Sequence, residues 1–312
     1  MAIGSRGYVG GNFGIELDGH ANAGWLWSAE GGMATTEVIQ EKTGPDAIQH
    51  KHISGLKYED ISIVFGTGMS EEFWEWVQSS FSKRNYERRS GAIVAANFNL
   101  RESSRLEFYD ALVTELGLPA LDATSKEPAK VTCKITPELT RMKLAGGKEM
   151  VGGSQNRGVQ RKWHRSDFRL RVDGLNEQGT MRVNQVEAIT LKQKLQPFQV
   201  GELRDYQIEP TQIEYPNLVI SVPESHAGPW LDWHEDFVVK GRCDPQHEKN
   251  GVIEYLSPNL QETLITVKFM GLGIFKITPD KLDAGSEKIR SMKIEMYCET
   301  VDFSYGKAAT WA

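Results

Sequence analysis

Only three cysteines occur among the 312 residues, Cys133, Cys243 and Cys298, and no two stand in a Cys-x-x-Cys pair. A disulfide framework and a cysteine-rich zinc site are both excluded by that scarcity. Apolar runs are short, so no helix long enough to cross a bilayer is expected. The first ten residues, MAIGSRGYVG, lack the apolar stretch of a secretory signal, and synthesis in a cytoplasm without a signal peptide is expected. Cationic excess is missing too. The net charge of −6 argues against electrostatic nucleic-acid binding. Catalytic signatures are equally scarce. There is no Gly-x-Ser-x-Gly elbow, no Gly-x-x-x-x-Gly-Lys-Ser/Thr phosphate loop and no His-Glu-x-x-His helix. His50-Lys-His52 and His234-Glu-Asp236 have the wrong spacing for a metal centre and read as a surface loop and a helix flank. Glu71-Glu72 is explained by the dipole of a following helix. The expectation is a protein that is not an enzyme, with no cofactor and no metal ligands.

What the chain does have is repetition. Phe13-Gly-Ile-Glu-Leu-Asp-Gly19 returns as Phe168-Arg-Leu-Arg-Val-Asp-Gly174, and Phe73-Trp-Glu-Trp76 as Trp230-Leu-Asp-Trp233. Gly91-Ala-Ile-Val with Asn99-Leu100 returns as Gly251-Val-Ile-Glu with Asn259-Leu260, and Leu121-Asp-Ala123 as Leu282-Asp-Ala284. The offset runs through 155, 157, 160 and 161 in unbroken order. A nearly constant offset points to tandem duplication of one domain. Residues 1–142 form the first copy, 143–167 a Gly-rich basic linker and 168–312 a diverged second copy.

The opening strand alternates in both copies. Phe13, Ile15 and Leu17 keep one face apolar, as do Phe168, Leu170 and Val172, while Glu16 gives way to Arg171 on the other face. Each strand ends in Asp-Gly, so a hairpin is expected to follow. Ser70 is an N-cap, and Phe73, Trp76, Val77 and Phe81 recur on one face of a helix. Trp230, Trp233 and Phe237 repeat the stripe behind Pro229. Cys133 corresponds to Ile294, which places that thiol toward a core. Between strands, a long loop is expected from Glu41 to Tyr58. The fold class is mainly β: two tandem antiparallel β-sandwich or barrel domains, each with one packed amphipathic helix.

Five segments, taken in order, resemble the tail tube protein family of contractile-tailed phages and contractile injection systems, whose fold is like that of the type VI secretion tube. They are Phe13–Gly19, Glu37-Val-Ile-Gln-Glu41, His52-Ile-Ser-Gly-Leu-Lys-Tyr58 before Asp60-Ile-Ser-Ile63, Phe73-Trp-Glu-Trp76, and Glu87-Arg-Arg-Ser-Gly-Ala-Ile-Val94. The second copy keeps the opening strand, the helix and the Gly-x-Ile strand but lacks Gly-Leu-x-Lys-Tyr and Glu-Arg-Arg, and Leu195 to Pro216 reads there as a different insertion.

The resemblance implies a structural role: rings of six domains stacked into a tube, made in a prokaryotic cytoplasm and assembled into a virion-like or injection particle. Two domains per chain allow three chains to close a pseudo-sixfold ring by joining sheet edges. Expected partners are other copies of the chain, sheath, baseplate or other tube proteins, and lumen cargo, with no membrane and no specific nucleic-acid partner. Residues expected at ring-stacking or inter-subunit contacts are Lys42, Pro45, Asp46, His50, His52, Leu56, Lys57, Tyr58, Trp74, Arg88 and Arg89. Unequal copies leave open a baseplate or terminal adaptor ring. A third reading is a secreted effector or carbohydrate-binding module using Trp25, Trp27 or Trp74 as aromatic contacts.

Overall fold

The computed structural model describes residues 11–42, 44, 49–81, 86–144, 148–150, 163–199, 201, 206–281 and 289–306. Pro45, Asp46 and most of the linker lie outside these.

Strand β1 (Asn12–Leu17) turns into β2 (His20–Gly31) through Asp18 and Gly19, at φ of 41° and 84°. That left-handed pair matches the twist of a two-residue hairpin. Next come β3 (Ala34–Lys42) and β4 (Gln49–Tyr58), which pair only with each other. The segment expected as a long loop is therefore a β-hairpin arm; its strands are exposed almost throughout, so burial gave no periodicity to read. Then follow β5 (Ile61–Met69), helix α1 (Glu71–Ser80), β6 (Arg89–Ala96), β7 (Glu102–Leu118), β8 (Leu121–Asp122), β9 (Val131–Thr136) and β10 (Leu139–Leu144). Ser70 caps α1, its Oγ accepting from Phe73 N–H at 3.2 Å. The sheet runs β7-β6-β1-β2-β5-β9, and β9 pairs back on β7 to close a barrel.

The second copy contains β11 (Phe168–Val172), α2 (Glu177–Thr180), β12 (Gln185–Val186), β13 (Ile189–Gln199), β14 (Tyr206–Glu214), β15 (Leu218–Pro223), α3 (Gly228–His234), β16 (Lys249–Leu256), β17 (Thr263–Pro279), β18 (Ser291–Tyr297) and β19 (Thr300–Tyr305). Here Asp173-Gly174 does not start a hairpin. The chain forms α2 and then only a two-residue β12. Among the described residues β12 does not reach β11, and this barrel stays nearly closed.

The two copies agree residue by residue. Ile15 pairs with Ile93, and Leu170 with Ile253. Leu116 pairs with Cys133, and Ile277 with Ile294. β7 shifts register between Val113 and Glu115, and β17 between Ile274 and Lys276. Leu100 and Leu260 both adopt positive φ, 59° and 58°.

The arms correspond as closely. Thr35↔Lys57, Val38↔Ile53 and Lys42↔Gln49 in the first arm match Lys192↔Glu214, Leu195↔Pro210 and Gln199↔Tyr206 in the second. Both shift register at the same place, between Thr36 and Val38 and between Gln193 and Leu195. The segment that read as a different insertion, Leu195–Pro216, belongs to the same hairpin at the same length with its surface residues replaced.

Candidate assembly interface

The second arm does not stay with its own barrel. Strand β13 pairs antiparallel with the far end of β7: Ile189↔Leu118, Thr190↔Gly117, Leu191↔Leu116, Lys192↔Glu115. Ile189, Leu191, Leu116 and Leu118 are all buried. Nearby, β8 of the first copy pairs with β12 of the second through Leu121↔Val186 and Asp122↔Gln185. An open edge of the first barrel is thus completed by a hairpin from its neighbour, which satisfies backbone groups an edge strand leaves free.

Two further contacts fix this joint. Trp74 of α1 is 1% exposed. It stacks on Tyr305 at 6.0 Å between ring centroids and lies 5.8 Å from Phe303, both from β19. The tryptophan expected at a subunit contact is therefore sealed between the two copies of one chain. The half-buried Arg88 holds the second arm. Its guanidinium pairs with Glu138, donates to the Ile208 carbonyl and meets Glu209 at 3.0 Å. Glu138 also accepts from Ile208 N–H at 2.9 Å, and Tyr86 O–H donates to Glu209 at 2.8 Å. That hydrogen bond and partial burial push the Tyr86 phenol up.

The other expected residues divide in three. Leu56, Lys57 and Tyr58, at the base of the first arm, line a 380 Å³ cleft with Pro137, Glu138 and, from the second arm, Pro197, Tyr206 and Ile208. Lys57 also pairs with Glu37 at 2.7 Å. Arg89 stays within its own copy, beside Glu87 at 2.8 Å and Asp18 at 3.6 Å. Lys42, His50 and His52 lie exposed on the first arm, away from the joint. Sequence reasoning missed Glu138, Ile189, Leu191, Ile208 and Glu209. The signal was available: the offset is 157 at Trp76 and Trp233, and the arms contain no net insertion before them.

The three tryptophans weighed as aromatic contacts lie in different surroundings. Trp74 is buried, Trp25 packs against Ala92, Val94, Ala96 and Met150, and Trp27 is 42% exposed with the Lys130 ammonium 4.3 Å from its ring. Burial pushes the Cys298 thiol up to about 11 and raises that of Cys133 further, so neither is a ready nucleophile. Among the described residues no three His, Cys, Asp or Glu side chains converge on a common point, and no helix is long and apolar enough to cross a membrane.

Residues 10–139 match the model of the T4-like virus tail tube protein gp19 family. The match spans nearly all of the first copy and stops before the linker. Among solved structures, the tube-terminating cap of the anti-feeding prophage is similar at 20% identity, over 46% of this chain and 100% of that one, with a TM-score of 0.38. A chain of the sheath-tube complex of the PVC extracellular contractile injection system is 18% identical over 46% of this chain and 94% of its own, with a TM-score of 0.38. Hcp1 from Flavobacterium johnsoniae is 15% identical over 45% and 95%, with a TM-score of 0.27. No curated protein matches the chain.

Proposed function

We propose that the chain is a ring-forming component of the tube of a phage-like contractile tail or injection particle, and that three chains close a pseudo-sixfold ring. One observation carries this reading. The first copy has its edge completed by the second copy's arm, while the second copy has the same edge and nothing on it. Among the described residues no strand pairs with the outer side of Lys276–Pro279, the stretch of β17 equivalent to Glu115–Leu118. The first copy's arm is meanwhile unclaimed, with Val38 57% and Ile53 65% exposed. An arm without a seat and a seat without an arm make a self-complementary head-to-tail contact, which closes on itself if the rotation is right. Two copies per chain and six positions per ring give three chains.

The arms differ chemically while sharing a backbone, so such a ring presents a threefold pattern to whatever stacks on it. That favours, as a second reading, a terminal or baseplate-adaptor ring over a stack of identical rings. Sheath, baseplate and other tube proteins are the partners both readings call for. Native mass spectrometry and axial class averages of the purified chain test the proposal. The expected result is a three-chain ring with two alternating kinds of lobe. Only monomers at every concentration, or rings of six chains, would end it. Spontaneous tubes would favour the bulk component, and single rings the adaptor.

A further inference from the structure

The second seat is preformed as a cleft. In the occupied joint, Leu56, Lys57, Tyr58, Pro137 and Glu138 receive the second arm. Their equivalents Ile213, Glu214, Tyr215, Cys298 and Glu299 all line one open cleft of 1070 Å³. The cleft at the occupied joint, lined also by Pro197, Tyr206 and Ile208, has about a third of that volume. Their counterparts on the first arm are Gln40, Gln49 and Lys51, all exposed.

One charge is reversed between the two seats. The occupied seat offers the Arg88 cation to Glu209 of the arm. At the open seat Glu248 stands in the place of Arg88, and Glu299 in that of Glu138. On the first arm Lys51 replaces Ile208, and His52 replaces Glu209. The reversal extends to neighbouring ion pairs. Lys57–Glu37 at 2.7 Å becomes Lys194–Glu214 at 2.5 Å with the signs exchanged across the same strand pair. Lys134–Glu115 at 3.7 Å becomes Lys276–Glu295 at 2.8 Å, again exchanged.

We infer that the cleft beside Glu248 and Glu299 takes the first arm of a second copy of this chain, and that these two carboxylates admit that arm and reject the second one. The inference rests on the ring reading above. The second arm in the second seat would set Glu209 against Glu248 and Glu299. That wrong pairing brings like charges together, while the first arm carries Lys51 to the same two carboxylates, so attraction and rejection act in the same direction at the second seat. The two copies then alternate around the ring, and a chain cannot close its own second seat with its own second arm.

A charge exchange tests this by native mass spectrometry and size-exclusion light scattering. Glu248→Lys with Glu299→Lys is expected to raise the concentration for half-assembly about tenfold or more. Adding Lys51→Glu with His52→Glu to the same chain is expected to bring it back. Lys51, His52 and Glu299 are exposed, while Glu248 is half-buried and accepts from Tyr297 O–H at 2.7 Å, so Glu299→Lys alone, which leaves that bond intact, is run beside the double variant and thermal unfolding of each is compared with the parent. Rings from the double variant at the parent's concentration would overturn the inference while leaving the ring reading intact, as would failure of the folded fourfold variant to regain them. A parent chain that never assembles would instead remove the ring reading itself.

Discussion

Gly91 and Gly251 occupy the same place in the two barrels, facing Leu17 and Val172 across the sheet, yet the space above them differs. A Cβ on Gly91 would lie 2.1 Å from the Glu16 carbonyl oxygen and 2.7 Å from the Phe108 ring. On Gly251 the tightest contact is the Leu272 methyl at 2.7 Å, and the Arg171 carbonyl stands off at 3.5 Å. A leucine methyl can rotate aside, while a strand carbonyl held in a barrel cannot. Gly91→Ala is therefore expected to destabilise by about 2–3 kcal/mol and Gly251→Ala by about 1 kcal/mol or less. Urea unfolding of the two variants checks this, and equal losses would show that the first barrel yields as readily as the second. The repeat Gly-x-Ile was legible in the sequence, as was the pairing of Cys133 with Ile294. The reason for the glycine was not, because it lies in a neighbouring strand's carbonyl rather than in any residue type nearby.

At the scale of elements, the strands that bury a face were readable and the arms were not. β1, β5 and β9 alternate because a barrel wall has one apolar side. The arm strands bury little inside a single chain, so selection of their residues follows contacts beyond their own barrel. The second arm even carries Pro197 and Pro210, which hid the relationship. Backbone length and the position of the register shift survived where side chains did not. Arg88 ties this arm down. It is a half-buried cation with one carboxylate on its own copy, Glu138, and one on the arm, Glu209. Arg88→Ala would leave Glu138 near the Ile208 amide but strip the arm carbonyl and Glu209 of their donor. Hydrogen bonds to charged groups contribute about 1.5–3 kcal/mol. The expected result is faster amide exchange across Tyr206–Glu214 with the exchange of β6 and β9 unchanged. Uniform acceleration throughout would mean that Arg88 supports the whole fold and not the arm.

On the scale of the whole molecule, the internal joint predicts the external one. Trp74 buries itself against Phe303 and Tyr305. The residue at the same helical position in the second copy is Leu231, 41% exposed, and the counterparts of Phe303 and Tyr305 are Met142 and Leu144, 49% and 81% exposed. Three apolar side chains lie uncovered at the places where, one copy earlier, their equivalents are covered. A ring built by repeating the joint brings Leu231 of one chain onto Met142 and Leu144 of the next. Covering each such side chain contributes about 1.5–3 kcal/mol. The two halves of this contact then respond to mutation in opposite ways. Trp74→Ala empties a packed site within the chain and should cost about 3–5 kcal/mol of stability, read as a lower melting temperature of the monomer. Leu231→Arg changes a solvent-facing position, so the monomer should melt within a few degrees of the parent while three-chain rings disappear from native mass spectra. Met142→Asp with Leu144→Asp should do the same from the opposite side. If Leu231→Arg still forms rings, the second joint is not a repeat of the first, and the chain uses its duplicated domains in two different ways.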